Sequence, residues 1–126
     1  MNWRKILIGL LAVAFAVECL YPIGGFLFPE KTLELFGMPA NPDTRFLAFV
    51  LTWCLLFVAA ACGLALWQVA KDVPAGWQLS LVLGYWWIAI GIALAIAYGR
   101  TDNLFLDSLK GGLIVIAAHL SGPGRG

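Results

Sequence analysis

Five charged side chains in this sequence stand inside or at the ends of apolar stretches: Glu18, Arg45, Arg100, Asp107 and Lys110. Two carboxylates and three cations in such a setting suit two kinds of chemistry. They can neutralise one another and tie helices together. They can also line a polar pocket that holds a lipid headgroup, a quinone or another amphiphile, or that relays protons. Glu18 is the group a proton-coupled transporter would need, because it interrupts the first apolar run. No nucleophile beside a base and no phosphate-binding loop accompanies the five, so no catalytic residue is assigned and an enzyme is not the leading expectation. Cys19, Cys54 and Cys62 form no CxxC pair, and His119 is remote from them in the chain. Three buried free thiols packing as small apolar groups are expected, with no metal and no cofactor.

The elements that must position these charges are helices of membrane length. The 126 residues are 62% hydrophobic and 12% charged, with mean hydropathy +0.90. A soluble domain carries about 25% charged residues. The apolar residues fall into four blocks of bilayer length, near residues 6–28, 46–69, 75–98 and 103–120. The expected fold is all-α and polytopic: one membrane domain, 1–126, with four transmembrane helices in an antiparallel bundle. A net charge of +1 leaves no basic patch, so nucleic acid is not an expected partner.

Several local signals punctuate these blocks. Arg4 and Lys5 before an apolar run, then Ala14-Phe15-Ala16, have the look of a cleavable signal. The run continues to Phe28, however, and Glu18 stands where a lipoprotein signal at Cys19 needs a small residue, so a retained first helix is expected. Tyr21, Pro22, Gly24 and Gly25 are expected to bend or end it. Between Pro29 and Arg45, Leu33, Leu35 and Phe36 alternate with charges, which predicts a short interfacial helix stopped by Gly37. Asn41-Pro42 offers a cap and a first-turn proline for the next helix. Lys71 to Pro74 is a tight turn flanked by Trp67 and Trp77, which fit an interfacial aromatic belt. The Gly and Pro rich tail, Ser121 to Gly126, is expected to be disordered.

The last block is the one that needs the others. Its nine Leu, Ile, Val and Phe residues each favour insertion by about 0.3 to 0.6 kcal/mol. Asp107 and Lys110 each cost about 2.5 to 3.5 kcal/mol at the bilayer centre, less near its edge. These terms nearly cancel, so neighbouring groups must satisfy the charges. The expected pairs are Asp107 with Lys110 or Arg100, and Glu18 with Arg45. Small residues mark close-packed faces: Gly84, Gly91 and Ala95; Ala59 and Gly63; Gly111 and Ala118. Arg4, Lys5, Lys71 and Arg125 fall on one side of the bilayer and Lys31, Arg45, Arg100 and Lys110 on the other. With Arg45 and Lys110 counted within the bundle, both termini are expected to be cytoplasmic, in a bacterial inner membrane.

Four short spans, Phe28-Pro29 running into Leu35-Phe36-Gly37, and the polar start Gly99-Arg100 with Asn103 and Asp107 together resemble the DoxX-like small membrane proteins. That resemblance implies a link to quinone-reducing sulfur oxidation or to redox-associated membrane complexes, and it transfers no catalytic residue. Four spans with a Glu in the first also resemble the small multidrug-resistance transporters. This chain departs from them in its long interfacial connection and its charged fourth helix. The expected role is an accessory or structural subunit of a membrane complex, redox-linked only in the sense of that resemblance. Its expected partners are the lipid bilayer and other subunits or further copies of itself; a quinone or lipid binder and a Glu18 transporter are the alternatives.

Overall fold

The computed structural model describes residues 2–123. The expected disorder of the tail and the placement of Arg125 fall wholly or partly outside them. The described chain is all-α. Its helices are α1 (Trp3–Leu27), α2 (Pro29–Leu35), α3 (Pro42–Ala70), α4 (Ala75–Tyr98), a π-helical segment (Leu104–Leu109) and α5 (Lys110–Ser121). Four stretches are long and apolar enough to cross a membrane: α1, α3, α4 and the combined run Leu104–Ser121. The protein is therefore a polytopic membrane protein.

The chain divides into two compact units, Phe15–Ala61 and the remainder, Met1–Ala14 with Cys62–Gly126. In the larger unit the buried side chains include Leu7, Leu11, Cys62, Val69, Trp87 and Ile114. The Arg4 guanidinium donates to the carbonyls of Val69, at 3.1 Å, and Ala70, at 3.0 Å. These are terminal carbonyls of α3, that of Val69 also accepting from the Asp72 N–H at 3.1 Å, and a cation suits the negative end of the helix. Trp77 is buried, not part of an exposed belt, and its Nε1–H donates to Ser121 Oγ at 2.9 Å. Trp67 is exposed. An indole buried this far needs an acceptor for its N–H, and Ser121 supplies one.

Antiparallel packing of α4 on the last span sets the frame of this unit. The register runs from Trp77 beside Ser121, through Gly84 beside Gly111, to Gly91 beside Ser108. A Cβ added at Gly111 would strike the Gly84 carbonyl and come within 3.0 Å of Trp87 Cβ. Only a residue without a side chain permits that approach. At the far end of α4, Gly99 adopts φ 65°, the left-handed region that costs glycine nothing. Its N–H reaches the Ala95 carbonyl and the Arg100 N–H reaches that of Leu94, closing the helix.

The smaller unit is built from the end of α1, from α2 and from the start of α3. Pro22 is accommodated inside α1, which continues to Leu27. Beyond α2, Gly37 and Met38 close the helix by donating to the carbonyls of Glu34 and Leu33. Asn41 and Thr44 then cap α3 reciprocally, each side-chain oxygen accepting the other's backbone N–H at 3.0 Å. Thr52 is buried against Gly25. Phe26, Phe49 and Trp53 meet edge to face, with the rings of Phe26 and Trp53 5.3 Å apart. Of the three thiols Cys62 is buried, Cys19 is half-buried, and Cys54 is exposed on α3 where burial was expected.

Candidate functional site

The charged turn at the start of the last span is the strongest candidate. A π-helical segment carries one residue more per turn than the α-helix beyond it, and such turns recur at functional positions. Here it runs from Leu104 to Leu109 and holds Asp107 and Ser108. Asp107 is held at both oxygens. Asn103 Nδ2 donates to its Oδ2 at 2.8 Å, and Lys110 Nζ stands 3.6 Å from its Oδ1. The Lys110 ammonium also lies over the Trp87 ring, 4.2 Å from the centroid. A cation over an indole face is attracted by the ring quadrupole, more so where water is scarce. Ser108 Oγ donates to the Ile88 carbonyl at 3.0 Å, which pins the turn to α4.

Both charged side chains are mostly covered, with 17% of Lys110 and 18% of Asp107 exposed. Two further ion pairs, one in the connection after α4 and one between the first turns of α2 and α3, are open. Arg100 pairs with Asp102, at 3.2 Å, not with Asp107. Once Gly99 ends α4, Asp102 is two residues away and the local partner is met first. The Arg100 hydrogen bond and charge hold the Asp102 carboxyl below the usual carboxylate range, and Asp102 in turn holds Arg100 further up. Arg45 pairs with Glu30, not with Glu18. Arg45 opens α3 and Glu30 opens α2, so both sit at the membrane boundary. Glu18 lies nine residues before the end of α1, about 14 Å along the helix.

Of the five charges singled out in the sequence, then, Asp107 and Lys110 come together, while Arg45 and Arg100 take local partners. Glu18 is buried in the smaller unit, 3% exposed. Sequence reasoning missed Asn103, Trp87, Ser108 and Glu30. The pairing of Asn103 with Asp107 was readable from spacing alone, since positions four apart in a helix are neighbours. Trp87 carried no comparable signal among the aromatics of α4. His119 stands away from this turn, hydrogen-bonded to Tyr85 at 3.3 Å.

Chemically, the turn offers a carboxylate whose oxygens are both engaged and an ammonium laid on an aromatic face. Among the described residues no three His, Cys, Asp or Glu side chains gather as a metal set. No protein-family model, curated protein or solved structure matches the chain.

Proposed function

We propose that this small integral membrane protein serves as an accessory or structural subunit of a membrane complex, with Asp107–Lys110 as an internal fastening of its last helix. The observation that carries this reading is the engagement of both Asp107 oxygens by groups of its own span. A headgroup entering here must displace Asn103 or Lys110. The DoxX-like pattern of the sequence adds that the complex is a redox-linked one. What the chain offers to neighbours is apolar: Phe57 is 74% exposed and Ile96 is 81% exposed. A photo-reactive amino acid at either position tests the proposal in native membranes. A discrete protein adduct is expected. Adducts with lipid alone at both positions would contradict it.

The residual exposure of Asp107 and Lys110 favours a second reading, a site for the headgroup of a quinone, lipid or other amphiphile. Under that reading Asp107→Asn weakens ligand binding and leaves thermal stability unchanged. Under the first it lowers stability.

A further inference from the structure

A different polar pair lies near the opposite end of the last span. Tyr85 on α4 and His119 on α5 are both exposed, with Oη 3.3 Å from Nε2 and the ring centroids 6.5 Å apart. Neighbouring polar groups on these helices are turned inward and satisfied. Ser80 donates to the Gly76 carbonyl, Ser121 to that of Ala117, and Trp77 to Ser121. Tyr85 and His119 are instead turned out.

Their hydrogen bond uses one proton, whichever tautomer is present. If Tyr85 O–H donates, the imidazole proton stands on Nδ1. If Nε2–H donates, Tyr85 keeps its own O–H. Either way one donor remains without a partner among the described residues, on a surface that faces the bilayer. An unmet donor is costly in hydrocarbon, and a lipid oxygen removes that cost.

Depth identifies the acceptor. Leu104–Ser121 has 18 residues, about 27 Å of helix against a hydrocarbon core of about 30 Å. His119 is two residues from the end of α5, about 3 Å along the axis, and so lies near the edge of the hydrocarbon. The acceptors at that level are ester carbonyls and phosphates. Seven residues deeper on the same face, Gly112 has open space where a Cβ would stand, with the exposed Ile116 between. A donor at the lipid-ester level above an open apolar strip matches the head and chain of one phospholipid.

We propose that Tyr85 and His119 form a binding site for a bilayer phospholipid held through an ester or phosphate oxygen, with its chain along the open face of Gly112 and Ile116. His119 is the chain's one histidine, so labelled histidine reports this position alone. The test uses the full chain with 15N-histidine in bilayers of phosphatidylethanolamine and phosphatidylglycerol whose ester carbonyls carry 13C. Transfer of magnetisation from lipid to the ring nitrogens should exceed transfer to the His119 backbone nitrogen several-fold. Transfer from 13C would identify the ester as the acceptor, and transfer from 31P the phosphate. Tyr85→Phe leaves the imidazole one N–H in either tautomer, so the ring signal should persist in that variant. Ring transfer no greater than backbone transfer in the unaltered chain overturns the proposal, whether or not the variant folds.

Discussion

The span pair Asp107–Lys110 and the loop pair Arg100–Asp102 use the same chemistry in opposite settings. The loop partners keep 42% and 54% of their side-chain surface open, against 17% and 18% in the span. In the loop, water and salt screen the charges, and either partner does nearly as well alone. In the span, hydrocarbon replaces water, and each charge depends on the groups around it. Asn103, Trp87 and the turn pinned by Ser108 supply those groups. Location within the bilayer, more than the existence of an ion pair, decides what the pair does for the protein.

The largest expected effect comes from breaking one side of the span pair. Asp107→Ala removes the carboxylate beside Lys110 and should cost about 2 to 3 kcal/mol, read as thermal unfolding in mild detergent by tryptophan fluorescence. Next is the close approach that brings Trp87 to the turn. Gly111→Ala should cost about 1 to 3 kcal/mol in the same measurement, because its methyl meets the Gly84 carbonyl and α4 must move away.

Arg100→Ala and Asp102→Ala should leave the melting temperature unchanged within error at neutral pH. Their pH dependence nonetheless has a definite sign. Asp102 has a lowered folded-state pKa, so any stabilisation it adds is present above the usual carboxylate range and fades as pH falls through the folded value. A melt series from about pH 6 to about pH 3, compared with Asp102→Asn, reads that small loss.

Much of the architecture is legible in the sequence because lipid imposes a coarse rule. Helices in hydrocarbon must be long and apolar, so the spans stand out by composition. Local closures are equally plain: Gly37 ends α2, and Asn41 with Pro42 begins α3, since these depend on a few adjacent residues. Partner choice is less visible. Arg45 reaches Glu30 because both open helices at the boundary, a matter of depth that spacing along the chain does not carry. Trp77 reads as a belt residue until Ser121 is found opposite its N–H. The π-helical turn is the least legible element. One added residue rotates the remainder of the span by about 100°, and the only sequence trace is the polar series Asn103, Asp107, Ser108.

A double-mutant cycle on Asp107→Asn and Lys110→Met, monitored by reversible unfolding, tests the central claim most directly. If the pair fastens the last helix, each single change destabilises and the double variant recovers, with a coupling of about 1 to 3 kcal/mol. Single changes that leave stability untouched, or effects that simply add, would contradict a structural role for Asp107–Lys110.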